Sequence, residues 1–349
     1  MTIVAVRNWL ALFVCSVALA AALHAIAVPA SLLIGPMVVA VVAGTMGAEM
    51  RLPGAVRVAA YSIIGVMVAA SIEPALFGTL AADWAVIVGA IVATVIASAS
   101  LGWLIAWLNV MPGSTAIWGS TPGAASAMVL MAESFGADAR LVAFMQYVRV
   151  ILVSLGAAFV ARLFTDGAPA AAQATAWFPP FDAAGLAATA AVAAAGVLVG
   201  TVLRFPSPHF LGPLVVGIAA HAGAGIGFAL PEWLLACAYL LAGWAIGLRF
   251  NKDVLLHAAR SLPQIALSIF ALMAFCAAIA WAMAHFLDID PLTAYLATSP
   301  GGLDTVAVVA AASGTVDMGF VMAAQTMRVV IVLLVGPPLA RWVANRMKR

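Results

Sequence analysis

The sequence predicts an all-α integral membrane protein made of two inverted repeats, each with about five transmembrane helices and one re-entrant or broken helix. Three observations support this prediction: the composition, a repeated motif and the distribution of positive charge. Hydrophobic residues make up 66% of the 349 residues and charged residues only 8%, whereas soluble domains contain about 25% charged residues. Apolar runs such as 9–28, 84–110 and 262–286 can cross about 30 Å of hydrocarbon, which takes roughly 20 helical residues.

The repeated motif is a short polar break that ends in Pro-Gly, followed by Gln-x-x-Arg inside a later apolar helix. The break occupies residues 119–123 in the first half and 297–301 in the second. Further positions match in the same order, at shifts of 177 (Pro36 to Pro213), 178 (Tyr61 to Tyr239) and 179 (Gln146 to Gln325). We therefore predict an internal duplication, with repeats at residues 8–164 and 185–345 and a linker at 165–184.

Each repeat divides into five predicted spans and one Pro-Gly segment. In the first repeat the spans are 9–28, 32–48, 55–72, 84–110 and 139–161, with the Pro-Gly segment at about 113–135. In the second repeat the spans are 185–203, 211–228, 233–248, 262–286 and 318–340, with the segment at about 292–315.

The positive charges predict the orientation, because cytoplasmic loops are enriched in Lys and Arg. If both Pro-Gly segments are re-entrant, the chain crosses ten times with both termini in the cytoplasm. Twelve of the 13 basic residues outside the Gln-x-x-Arg motifs then lie inside, and only Arg162 lies outside. If the segments cross fully, the division is eight to five, which the rule disfavours, although a full crossing stays open. Five crossings per repeat is an odd number, so the second repeat must be inverted relative to the first.

The Pro-Gly breaks are the first candidate binding elements. Proline lacks a backbone N–H and disfavours helix at the residue before it, so Pro122 and Pro300 interrupt any helix that reaches them. The helices that restart beyond them present free N–H groups, which favour an anion. The structural alternative is a kink whose polar groups are satisfied by neighbouring Ser and Thr side chains.

The Gln-x-x-Arg pairs are the second candidate element. Arg149 and Arg328 lie about three turns inside their predicted spans, where an arginine costs about 2.5 to 3.5 kcal/mol on insertion scales. A glutamine three residues earlier shares the same helix face. Each pair could therefore bind a ligand, or it could hold the exposed carbonyl groups of its own broken segment.

We predict a substrate site between the two Pro-Gly segments. Its residues are Ser120, Thr121, Pro122, Gly123, Gln146 and Arg149 from the first repeat, and Thr298, Ser299, Pro300, Gly301, Gly302, Gln325 and Arg328 from the second. Asp304, whose counterpart is Ser126, is a candidate for binding a coupling proton or Na⁺, or for capping its helix.

The remaining composition disfavours several functions. A formal net charge of +2 without a basic cluster gives no nucleic-acid footprint. The three cysteines and five histidines show no spacing typical of a metal site. We expect no cofactor, no metal and no enzymatic activity. The expected partners are a small-molecule solute and the lipid bilayer, and a homodimer is left open.

The paired motif resembles the duplicated module of the AbrB family of bacterial membrane proteins. The resemblance rests on Thr121-Pro122-Gly123 with Gln146-Tyr147-Val148-Arg149, and on Ser299-Pro300-Gly301-Gly302 with Gln325-Thr326-Met327-Arg328. It covers both repeats, although the first copy departs at Ala124 from the usual Pro-Gly-Gly form. It implies the bacterial inner membrane, and members have been called regulators of gene expression and ammonia monooxygenases, while the family is also grouped with transport proteins.

These observations together predict a secondary transporter of a small anionic or polar solute across the inner membrane. The alternative is a membrane-embedded regulator or sensor that acts indirectly on gene expression. An enzyme ranks third.

Overall fold

The computed structural model describes residues 3–26, 28, 30–48, 50–72, 76–111, 113–164, 177–205, 207–301, 306 and 316–347. The regular secondary structure in these ranges is helical. The helices are α1 (Ile3–Ala25), α2 (Ser31–Thr45), α3 (Gly54–Ala70), α4 (Leu76–Trp107), α5 (Gly113–Ser120), α6 (Ala125–Ser134), α7 (Ala139–Phe164), α8 (Ala183–Val202), α9 (Pro208–Ile218), α10 (Glu232–Gly247), α11 (Lys252–Arg260), α12 (Leu262–Leu287), α13 (Pro291–Thr298) and α14 (Met318–Met347).

Within the described ranges, six helices are long and apolar enough to cross a membrane, or seven if the bent pair α10 and α11 forms one span. The six are parts of α1, α4, α7, α8, α12 and α14. The chain is thus a multi-pass helical membrane protein, as its composition predicts. The other predicted spans correspond to α2, α3, α9 and α10, with 15, 17, 11 and 16 residues. Because these are shorter than the roughly 20 residues of a full crossing, the number of crossings remains a prediction.

One predicted span is wrong in its extent. The expected helix at 211–228 ends early, because α9 passes into a π-helical turn, Ala219–Gly223, and residues 225–231 are not helical. Gly225 there has a φ of 66°, a left-handed conformation that glycine adopts without steric cost and that a helix cannot continue through.

Helices α1–α3 and α8–α11 form one compact unit, which takes elements from both predicted repeats. Matched glycines allow its helices to pack closely. Gly35 of α2 faces the backbone of α1 at Ala20, and Gly212 of α9 faces the backbone of α8 at Gly196. Small residues of this kind are typical of membrane helix interfaces.

The same unit also contains matched contacts between the two predicted repeats. Gly65 of α3 packs against Phe210 and Pro213 of α9, and Gly243 of α10 packs against Leu33 and Pro36 of α2. The shift of 178 residues from Gly65 to Gly243 and of 177 from Leu33 to Phe210 shows that the two contacts use equivalent positions. Each third helix therefore packs against the second helix of the other repeat.

Helices α4–α7 and α12–α14 form the second compact unit, and they too come from both predicted repeats. The long helix α4 contacts α5, α12 and α14, whereas α12 contacts α4, α7 and α13. The first Pro-Gly segment consists of α5 and α6, separated by a break at residues 121–124. In the second segment α13 ends at Thr298, and the break follows it. Gly302 and Asp304 lie outside the described residues.

The glycine packing in the first unit leads to a stability prediction. A Cβ at Gly212 would overlap the backbone of Gly196 and Gly200, which cannot rotate away, so Gly212→Ala should destabilise the protein by about 1 to 3 kcal/mol. Thermal unfolding in detergent, followed by size-exclusion chromatography, measures this effect. The matched control is Gly89→Ala in α4, where an added Cβ meets nothing within 4 Å. Equal unfolding temperatures for the two variants would contradict the packing argument.

Candidate functional site

The first Pro-Gly break is held by two buried side chains of α7, Gln146 and Arg149. The amide Nε2 of Gln146 donates to the carbonyl oxygens of Trp118 at 2.7 Å and Thr121 at 3.1 Å. Nη1 of Arg149 donates to the same Thr121 oxygen at 2.8 Å, and Nη2 donates to the Gly123 oxygen at 3.4 Å. The glutamine and arginine, one turn apart, therefore serve consecutive parts of one break.

The second break is held in the same way by α14. Nε2 of Gln325 donates to the carbonyl oxygens of Leu296 at 2.6 Å and Ser299 at 3.2 Å. Nη1 of Arg328 donates to Ser299, and Nη2 donates to the Gly301 oxygen at 2.9 Å. All three acceptors lie 178 residues after their counterparts in the first break, at Trp118, Thr121 and Gly123.

The prolines explain why a glutamine is needed at these positions. In an α-helix the N–H of each residue donates to the carbonyl four residues earlier, and proline has no N–H. Pro122 therefore leaves the Trp118 oxygen without its helical donor, and Pro300 does the same to Leu296. The glutamine amides supply these missing hydrogen bonds, which matter because an unsatisfied backbone group in hydrocarbon costs several kcal/mol.

The side-chain amides and the Nη groups of the Gln-x-x-Arg pairs thus hold the carbonyl oxygens of the breaks, which is the structural alternative given for these pairs. Some polar atoms are left over: within the described ranges Nε of Arg149, Nε of Arg328 and Oε1 of Gln325 have no hydrogen-bond partner. Oε1 of Gln146 accepts from Nη2 of Arg149 at 2.5 Å. Ligand binding by the four side chains remains a prediction.

The predicted hydroxyl ligands all lie at the breaks. Each donates its proton to a carbonyl of its own short helix, so each offers a ligand only its lone pairs. The bonds are Ser120 to Ala116 at 2.7 Å, Thr121 to Ile117 at 2.7 Å, Thr298 to Ala294 at 2.9 Å and Ser299 to Leu296 at 3.2 Å.

Two small cavities adjoin the arginines, each of about 10 Å³, which is space for about one water molecule. The first is bounded by Arg149, Gly119, Ser120 and Met145, by Ser98 and Leu101 of α4, and by Ile265, Ser268, Ile269 and Leu272 of α12. The second is bounded by Arg328, Ala297, Thr298, Phe320 and Ala324, by Met283 of α12, and by Ile87, Ala90, Ile91 and Thr94 of α4.

The two cavities use equivalent positions of the long helices. The four α12 residues of the first cavity follow the four α4 residues of the second by 178 residues each, as in Ile87 and Ile265. Each cavity is therefore bounded by the arginine of one repeat and the long helix of the other. Sequence reasoning missed this, since it treated α4 and α12 as plain spans, although Ser98 and Ser268 are polar residues within mainly apolar helices.

The two breaks also lie against the opposite arginine helices. A Cβ placed on Gly123 would lie 3.0 Å from Cγ1 of Val332 in α14, and one on Gly301 would lie 3.4 Å from Cγ1 of Val153 in α7. These valines are one turn beyond Arg328 and Arg149. The structure thus brings the described members of the predicted site together within the second unit.

The starts of α7 and α14 are tied to the short helices by a further matched pair of contacts. The backbone N–H of Asp138 donates to Oγ1 of Thr115 at 3.1 Å, and that of Asp317 donates to Oγ1 of Thr293 at 3.1 Å. Burial alone raises the pKa of Asp138, but the hydrogen bonds and charge of Arg140 outweigh it and bring the pKa below the ordinary 3.8. This contribution to stability is present above about pH 4 and is lost as the pH falls through the folded-state pKa.

The fold and the site define a multi-pass helical membrane protein with two Pro-Gly breaks, each held by a buried Gln-x-x-Arg pair. The chain belongs to the AbrB family, since the family model described as "Transition state regulatory protein AbrB" matches residues 32–344.

Two relatives are similar over much of the chain. "Putative regulator AbrB" of Escherichia coli (strain K12) is 46% identical over 341 residues, which cover 97% of each chain. "Uncharacterized protein YhjN" of Bacillus subtilis (strain 168) is 27% identical over 241 residues, which cover 65% of this chain and 62% of the relative.

The role of the glutamines can be tested by a double-mutant cycle. Gln146→Met removes the donor to the Trp118 oxygen and should cost about 1 to 3 kcal/mol, the penalty for a buried acceptor left unsatisfied. In a Pro122→Ala background the restored backbone N–H can serve that oxygen, so the same change should cost less. The free energies of unfolding of the four proteins give the coupling, and strictly additive costs would contradict it.

Proposed function

We propose that this protein is a secondary transporter that moves a small anionic or polar solute across the bacterial inner membrane, with both termini in the cytoplasm. In this proposal the chain consists of two inverted repeats with ten crossings, and the Pro-Gly segments are re-entrant. The solute binds between the two breaks, near Gln146, Arg149, Gln325 and Arg328. The protein carries out no covalent chemistry.

The proposal rests on one observation: each of two equivalent sites takes residues from both repeats. Each arginine holds the break of its own repeat, while the long helix of the other repeat bounds the adjoining cavity. Most of the residues that line one cavity have their counterparts, 178 or 179 positions away, in the lining of the other. Inverted repeats with a binding site at their interface and discontinuous helices are the plan of many secondary transporters.

The charge of the site favours an anionic or strongly polar solute. Arg149 and Arg328 are buried, and among the described residues their Nη groups donate to carbonyl oxygens. The ion pair between Arg140 and Asp138 lies apart from them, at the start of α7. Two positive charges among apolar helices are expensive, and a solute that carries negative charge or hydrogen-bond acceptors would offset part of this cost.

The size of the cavities fits a closed conformation. About 10 Å³ holds one water-sized group, such as a single oxygen atom of a solute. The polar residues that line the first cavity are Arg149, Ser98, Ser120 and Ser268. Transport would require α4 and α12 to move away from the arginines. Asp304 is retained from the sequence as the candidate coupling residue.

Transport by arginine variants tests the proposal directly. Purified protein in liposomes is presented with the sodium salts of a panel of monocarboxylic acids, dicarboxylic acids and amino acids, and charge movement is recorded by solid-supported-membrane electrophysiology. The wild type should respond to at least one member. In Arg149→Gln and Arg328→Gln the recorded current should be at least tenfold smaller than in the wild type. Arg51→Gln, which changes an exposed arginine, should give the wild-type current.

Serine variants separate ligand contact from support of the break. Ser98→Ala and Ser268→Ala leave the Gln-x-x-Arg contacts intact, so the thermal stability should change little while the apparent affinity for the solute falls severalfold. Ser100→Ala, an exposed serine on the same helix as Ser98, is the matched control. Unchanged affinity in both cavity variants would remove this cavity from the site.

The alternative is a membrane-embedded regulator that acts indirectly on gene expression, and the names of the family and of the Escherichia coli relative favour it. The two functions separate in a deletion strain. If a transport-defective Arg149→Gln variant restores the wild-type transcript profile as fully as the wild-type protein does, regulation is independent of transport.

A further inference from the structure

Helix α11 has a geometry unlike that of the spans around it. It follows α10 after a short break and is bent from α10 by 97°. Its nine residues extend about 13 Å, since an α-helix rises 1.5 Å per residue. This is less than half of the about 30 Å of a hydrocarbon core, so α11 does not cross the membrane by itself.

The helix has a polar face and an apolar face. Asp253, His257 and Arg260 are spaced by four and three residues and share one side of the helix. Leu255 lies on the opposite side of the helix, and Leu256 lies at the edge of the polar side, four residues before Arg260. The two leucines are 37% and 52% exposed. Ala258 is fully buried and is the point at which α11 packs on the protein.

Exposed leucines next to charged residues fit the boundary between lipid headgroups and acyl chains. An amphipathic helix in that position inserts its apolar side chains and keeps its charges among the headgroups. Lys252 precedes Leu255 and Leu256 by three and four residues, so its aliphatic chain can lie along the apolar side while its ammonium group reaches the surface.

The charges on and just before the helix are mainly positive. Arg249, Lys252 and Arg260 contribute three positive charges, and Asp253 contributes one negative charge. Basic residues near a membrane surface attract anionic phospholipids. The same residues belong to the loop that the positive-inside rule assigns to the cytoplasmic side.

The matching stretch of the first repeat shows that the fold itself does not require these charges. Residues 76–82, which align with 254–260 at a shift of 178, form the first part of α4. They end at Asp83, whose φ of −115° and ψ of 22° break the helix. This stretch contains no charged residue. The basic residues of α11 are therefore a feature of one repeat, the one whose loop the predicted orientation places on the cytoplasmic side.

We propose that α11 is an interfacial helix that binds anionic phospholipid headgroups through Lys252 and Arg260, with Leu255 and Leu256 inserted among the acyl chains. A lipid surface fits better than a soluble protein partner, because the exposed apolar area of two leucines falls far short of the roughly 800 Å² per partner of a stable protein interface. The neighbouring helices α10 and α12 are apolar, which brings the bilayer to both ends of α11.

Accessibility measurements test the placement of the helix. Cys15, Cys237 and Cys276 are replaced, and single cysteines at Asp253, Leu255, Leu256 and His257 are spin-labelled in liposomes that contain phosphatidylglycerol. Labels at positions 255 and 256 should be relaxed mainly by oxygen, and labels at 253 and 257 mainly by a water-soluble nickel chelate. Relaxation of all four labels mainly by the nickel chelate would overturn the proposal. Shielding of positions 255 and 256 only after addition of cytosolic protein would also overturn it.

A titration tests the headgroup specificity. Full-length protein in detergent is titrated with phosphatidylglycerol or phosphatidylcholine, and the unfolding temperature is recorded. Phosphatidylglycerol should raise it further than phosphatidylcholine, and K252Q combined with R260Q should lose at least half of that difference. The control, R51Q combined with R204Q, removes the same charge from exposed positions elsewhere. No difference between the lipids, or an equal loss in both double variants, would overturn the proposal.

Discussion

The structure depends on the hydrogen bonds by which a glutamine and an arginine complete a helix that proline has interrupted. Pro122 and Pro300 each remove a donor from the carbonyl four residues earlier, and Gln146 and Gln325 supply a donor in its place. Among apolar helices, water is not at hand to do this, so the side chain of a neighbouring helix must. Every other feature of the site follows from keeping a non-helical backbone stable in such surroundings.

The exchange of helices between the two halves follows from the same constraint. A break needs a donor helix on one side and a cover that excludes lipid on the other. α7 and α14 provide the donors, and the long helix of the opposite half bounds each cavity. Each cavity of this unit is therefore lined by side chains from both halves. A mechanism that opens one cavity acts on helices that belong to both halves.

The arginines fill one of the two roles that sequence reasoning gave as alternatives, the support of the breaks, and solute binding belongs to the proposed function. Their Nη groups hold the carbonyl oxygens of the breaks, while Nε remains without a partner among the described residues. A solute oxygen that accepts from Nε would complete the guanidinium without displacing the backbone. In the proposed transporter the cost of burying the charge would then be shared between carbonyl dipoles and the solute, and one side chain would both support the break and recognise the solute.

The sequence alone determined the class of protein, because composition, proline and a buried arginine act locally and leave a direct trace in the residue order. It placed the first break at residues 119–123, which the structure has at 121–124. It gave the support of that break by Arg149 as one of two alternatives, and the hydrogen bond of Arg149 to Thr121 agrees with that alternative. It could not show that Ser98 and Ser268 bound the first cavity, or that α9 ends early in a π-helical turn. The lining of the cavity depends on which helix of one half packs on the other, and only the tertiary structure decides such contacts. The early end of α9 goes with the left-handed conformation of Gly225, which glycine permits but the residue order alone does not specify.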